Sequence, residues 1–145
     1  MKKYLLGFLL LVPAFSVLCG QTQNDPLVST CLQSTGPGAK YLKDFRIQLG
    51  LGTSQDLFRY KANMSLWKNT RYRFTLCTAE NSKGRLILNI QDDANNVVLS
   101  SVDGKTGTVY SYVDLICNRS GIYQIYFDFT EGQSGSGVSI VSMVQ

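Results

Sequence analysis

The chain contains no histidine, so any chemistry must come from cysteines, carboxylates, amides and aromatic rings. Without an imidazole, Ser–His and Cys–His pairs and histidine metal ligands are excluded. A carboxylate pair working as in glycoside hydrolysis stays open. The acids, however, fall mostly in turn sequences or on the polar phase of strands, where solvated residues sit. A carboxylate-based hydrolase is therefore the third reading, behind two kinds of binding protein. No catalytic residue and no cofactor is assigned.

Three groups of residues remain as candidates. Asp92, Asp93, Asn95 and Asn96 crowd oxygen ligands into the segment DDANN. That segment lacks both the spacing of a calcium loop and its distal bidentate acid, and a hairpin connection explains Asp and Asn there equally well. No metal site is assigned. Trp67, the only tryptophan, could combine with Tyr60, Tyr110 and Tyr112 into a flat aromatic platform for sugar rings. Half-buried packing is the competing use of such rings. Lys61, Arg71, Arg73 and Arg85 could share one outer face, where a basic stripe would meet an acidic polymer; a plain polar strand face is the default.

The elements that position these residues follow from alternation and turn chemistry. Tyr72, Phe74 and Leu76 alternate with Arg71, Arg73 and Thr75, the period of a strand with one buried face. Leu86, Leu88 and Ile90 resume the pattern after the turn sequence ENSKG, and VVL follows DDANN. Upstream, Phe45, Ile47 and Leu49 mark a first strand, and Phe58, Tyr60, Ala62, Met64 and Leu66 a second. Downstream, Val113, Leu115 and Cys117 oppose Tyr110, Tyr112 and Asp114. Residues 122–129 are apolar at nearly every position and predict a central strand covered on both sides or at an interface. Residues 138–144 close the set. Turns at regular intervals and no helical period predict an all-β protein, a single jelly-roll-like antiparallel sandwich of about eight strands.

The first residues carry an address. Lys2 and Lys3 precede an apolar run over residues 4–18, and a polar segment follows at once, as in a secretory signal peptide. The run is too short for a comfortable transmembrane helix. Cleavage after Gly20 gives a soluble exported protein. Lipidation at Cys19 is the alternative, although Leu18 stands where a lipobox has a small residue. The organisation is then a signal peptide over 1–20, an extended lead-in over 21–40 and a β-sandwich domain over 41–145. The net charge is +4, of which Lys2 and Lys3 in the leader contribute two. The remainder is too weak and too scattered for nucleic-acid binding.

Cys31, Cys77 and Cys117 lie beyond the leader, in a compartment that favours oxidation. In a jelly roll the first strand and the strand of residues 109–117 share a sheet and run antiparallel, so an entry meets an exit. That reasoning pairs Cys31 with Cys117 and leaves Cys77 buried or reactive. The alternative keeps all three reduced and buried as small hydrophobes.

From YRFTL through LNIQDDANN to the Gly121-Ile122-Tyr123 strand, residues 72–143 resemble the small β-sandwich of bacterial pre-peptidase C-terminal domains. The resemblance implies a non-catalytic accessory module. Together these features predict an exported binding protein of the bacterial periplasm or cell surface. The first reading is a small interaction or accessory subunit of an envelope assembly, with another envelope protein as partner. The second is a carbohydrate-binding module with a glycan as ligand.

Overall fold

The computed structural model describes residues 25–53 and 57–145. The leader, Cys19 and the cleavage position after Gly20 lie outside the described residues. Strands β1 (Lys40–Leu49), β2 (Tyr60–Leu66), β3 (Arg71–Thr78), β4 (Leu86–Gln91), β5 (Val97–Ser100), β6 (Tyr112–Ile116), β7 (Gly121–Phe129) and β8 (Gly135–Val144) form two four-stranded sheets. Their orders are β1-β8-β3-β6 and β2-β7-β4-β5, antiparallel throughout. The pairs nest, β4 with β5 innermost, then β3 with β6, β2 with β7 and β1 with β8. This nesting is the jelly-roll winding that the strand count predicted.

Alternation places the core between the sheets. Phe45 and Ile47, Phe74 and Leu76, Leu88 and Ile90, and Ile125 and Phe127 all point inward and are buried. The Phe45 and Phe127 rings meet across the layers with centroids 5.4 Å apart. Gly135 lies flat on Phe129: an added Cβ would stand 2.6 Å from that ring, closer than any side chain can approach. Near the start of β7 the Tyr123 hydroxyl donates to the Arg119 carbonyl, 2.6 Å away and four residues upstream. This closure resembles the tyrosine corner of other two-sheet folds.

Two expectations are corrected by the outer faces. The lead-in expected to be extended over 21–40 is helical in its described part, where α1 (Pro26–Gln33) forms. Asp25 caps it, its side chain accepting from the Leu27 N–H at 2.9 Å, and Pro26 supplies a preset first-turn φ. Leu27, Val28 and Cys31 pack on Val138 and Ile140, which face away from the main core. Within the domain the strand covered on both faces is therefore β8, rather than residues 122–129. β7 is central in its sheet, but Ile122 on its outer face is exposed.

The helix also decides the cysteine pairing. The bridge is Cys31–Cys77, with Cα atoms 5.8 Å apart, and Cys117 is free and buried. The expected Cys31–Cys117 bridge fails on two counts. Cys77 shares the outward phase of Arg73 and Thr75, under α1, whereas Cys117 belongs to the core between the sheets. In addition, Cys117 donates its N–H to the Thr70 carbonyl at the start of β3, whereas Cys77 is near the end of that strand. Six residues of strand, about 20 Å, separate the two positions. β1 does begin at the Cys117 end, as the jelly-roll argument required. The chain before it, however, runs back along the sheet and carries Cys31 to the other end. Among the described residues no helix is long and apolar enough to cross a membrane.

Candidate functional site

The most prominent cluster of charged and aromatic groups is on the outer face where β3 meets β6. Arg73 of β3 stands directly opposite Asp114 of β6 in register. Its Nε donates to Asp114 Oδ1 at 2.8 Å and its Nη2 to Oδ2 at 3.0 Å, a two-point fork. Arg71 shares the same carboxylate, with its Nη2 2.8 Å from Oδ2. The Arg73 guanidinium lies 4.7 Å above the Tyr112 ring and donates through Nη1 to the Thr35 carbonyl, just beyond α1. Helix, sheet and edge strand thus converge on one side chain. Hydrogen bonds from Arg73 first, then from Arg71, hold the Asp114 carboxyl below the usual carboxylate range despite its partial burial. The same bond raises the pKa of Arg73.

Arg71, Arg73, Tyr110, Ser111, Tyr112, Val113 and Asp114 line an open groove of about 470 Å³. Two guanidinium groups facing one carboxylate leave it with a net positive charge. The expected aromatic platform is not assembled. Tyr110 and Tyr112 do come together here, and Tyr112 is 52% exposed. Tyr60 instead packs on Phe127 in the core, centroids 5.9 Å apart, and Trp67 projects from the β2–β3 turn, 68% exposed. Nor do the basic residues share a face. Arg71 and Arg73 flank the groove, Lys61 is on the opposite sheet, and Arg85 precedes β4.

The DDANN segment folds as a turn. Asp92 Oδ1 accepts from the N–H groups of Ala94 and Asn96, both at 2.9 Å, and Asn95 takes a positive φ of 62°. Asp93 is engaged by Arg119. No cluster of three or more metal-ligating side chains occurs among the described residues.

One buried ion pair escaped sequence reasoning. Asp128, its side chain 5% exposed, accepts from Arg59 Nη2 at 2.9 Å, from the Arg59 N–H at 3.2 Å and from the Phe129 N–H at 2.7 Å. The same guanidinium donates to the carbonyls of Gly50 at 2.5 Å and Gln133 at 3.0 Å. It ties the β1–β2 and β7–β8 connections together beside a cavity of about 320 Å³. The signal was a lone acid inside the apolar run IYQIYFDF, since a buried carboxylate needs a partner.

The outer face of the second sheet is the other extended surface. Cross-strand register lines up Asn63, Gln124 and Gln91 in one row and Lys61, Tyr126 and Asn89 in the next. The Asn89 Oδ1 is buried without a hydrogen-bond partner. No protein-family model matches the chain, and no curated protein matches it.

Proposed function

We propose that the chain is an exported, non-catalytic binding domain, a small accessory subunit that docks another protein of the bacterial envelope through the groove between β3 and β6. The observation that carries this reading is how the described aspartates are used. Asp25 caps a helix, Asp92 and Asp103 close turns, and Asp44, Asp93, Asp114 and Asp128 engage arginines. Such acids organise structure. Meanwhile a positively charged groove with two exposed tyrosines stays open, and tyrosine with arginine is the composition of binding hot spots. The test is photocrosslinking in envelope extracts, with the reactive amino acid at Tyr112 or, as a control, at Lys83. A discrete adduct from position 112 alone is expected. No adduct from 112, or identical patterns from both positions, would refute the reading.

A second reading, carbohydrate binding, is favoured by the two rows on the β2-β7-β4 face. Carboxamides donate and accept together, as vicinal hydroxyls require, and Tyr126 offers a ring among them. A glycan array read with wild type and Gln124→Ala decides it; no glycan signal sensitive to that substitution would remove it.

A further inference from the structure

The jelly roll leaves four edge strands: β1 and β6 in one sheet, β2 and β5 in the other. Exposed edges invite strand pairing, and proteins guard them with bulges, lysines, prolines or brevity. β1 has a register irregularity between Tyr41 and Lys43, and exposed lysines at 40 and 43. β5 has four residues and an irregular register against β4. β6 has Asp114 at its centre, so pairing it with itself would set two carboxylates directly opposite, which is unfavourable. β2 differs. It has seven residues, keeps an unbroken register against β7 and carries a single lysine.

Backbone directions show which groups of β2 are open. In an antiparallel ladder the residues that bond one neighbour alternate with those that face the other side. The Ser101 N–H donates to the Leu88 carbonyl at 3.0 Å, and the Leu88 N–H donates to the Ser101 hydroxyl at 2.8 Å. Leu88 therefore serves the β5 side, and Asn89 serves β7. Asn89 stands opposite Tyr126, so Tyr126 serves β4 while Ile125 and Phe127 serve β2. Their partners Ala62 and Tyr60 accordingly bond β7. The N–H and C=O groups of Lys61, Asn63 and Ser65 aim away from the sheet, and these three residues are exposed. Tyr60, Ala62 and Met64 face the core from this rim and are only partly covered.

We propose that β2 pairs with β2 of a second copy of this chain about a two-fold axis at Asn63, joining the two β2-β7-β4-β5 sheets into one. The contact goes beyond the groove reading, since β2 and β6 are edges of different sheets. The strand is its own complement. Asn63 is the middle of the seven residues, so the two-fold register sets Tyr60 against Leu66, Lys61 against Ser65 and Ala62 against Met64 of the other copy. On the core side apolar meets apolar, and the half-covered rim gains a cover. On the outer side each lysine meets a serine. At the axis two carboxamides meet, and each can both donate and accept. Lys61, Asn63 and Ser65 exchange main-chain bonds across the axis. This register alone pairs the whole strand, and a two-fold contact of one patch with itself is the commonest way for identical chains to associate.

The test is analytical ultracentrifugation of the protein over a concentration series. A reversible dimer is expected, with hydrogen exchange at the Lys61, Asn63 and Ser65 amides slowing at least about tenfold as it forms. Ser65→Lys, at an exposed position, sets lysine opposite lysine twice and should weaken the dimer about tenfold. Adding Lys61→Glu sets a carboxylate opposite an ammonium in the same places and should restore it. Asn63→Pro removes only an outward N–H, a substitution edge strands tolerate. It should keep the far-ultraviolet spectrum of wild type and stay monomeric. A protein monomeric at every concentration would overturn the proposal. So would a dimer unmoved by Ser65→Lys, a double variant no tighter than the single one, or slowed exchange confined to other strands. If Asn63→Pro does not fold, the charge pair still decides.

Discussion

Asp114 joins two arginines of one strand to a neighbouring edge, so its protonation has a structural consequence. Its folded pKa is lowered, chiefly by the Arg73 hydrogen bonds. The stability it contributes is therefore complete above the unfolded carboxyl value, about 3.9, and is lost as pH falls through the folded one. In urea titrations between pH 7 and 2.5, wild type should lose stability below about pH 4 more steeply than Asp114→Asn. Parallel curves would show that the pair contributes nothing. Asp128 is probed by substitution, because it accepts from Arg59 in a largely enclosed setting. Asp128→Ala leaves the half-buried Arg59 guanidinium with carbonyls alone, and breaking a fully buried pair costs about 3–5 kcal/mol, so a loss of about 2–4 kcal/mol is expected. A change under about 1 kcal/mol in a urea melt would contradict that account. Strand alternation correctly assigned Phe74 and Phe127 to the core. It also assigned Arg73 to a plain polar strand face, and there it was incomplete. Period tells which face a residue is on; it does not tell what lies on that face.

At the scale of elements, α1 is the part the sequence hid. Eight residues with a polar exposed side give no sustained helical period. Its signals were local, an Asp-Pro pair at the start and Gly36 at a φ of 90° after the end. Val138 and Ile140 on the outward phase of β8 were the remaining hint, since a face that buries valine and isoleucine needs a cover. The Cys31–Cys77 bridge holds this cover in place across a closed loop of 46 residues. Replacing both cysteines with alanine should cost about 2–4 kcal/mol, measured as a shift in urea midpoint. Non-reducing peptide mapping should recover the Cys31–Cys77 peptide, and Cys117 should react with alkylating agents only after unfolding. A Cys117-containing disulfide peptide would contradict the two-faced placement of the cysteines. Phe74→Ala and Phe127→Ala, deep between the sheets, should each cost about 3–5 kcal/mol, and values below about 1.5 would mean that the core tolerates collapse there.

For the molecule as a whole, strand count and layer architecture were legible because eight alternating runs are separated by unmistakable turn chemistry. The candidate surfaces were not, because a groove depends on which strands become neighbours. Arg71 and Arg73 are separated from Tyr112 and Asp114 by two other strands in the chain, and nothing local announces that they meet. The nested winding has a consequence for how the chain acquires its shape. β1 pairs with β8 alone, and β8 in turn separates β1 from β3. The first strand therefore cannot be seated until the last has emerged, and contacts this distant along the chain are slow to form, typically in milliseconds to seconds. A chain passed residue by residue through a translocation channel would stay threadable until β8 arrived, then seal in a single step. Truncation before Gly135 should accordingly yield a chain without the far-ultraviolet signature of the intact sandwich, whereas refolding of the whole chain should show one cooperative phase rather than an early-folded amino-terminal half.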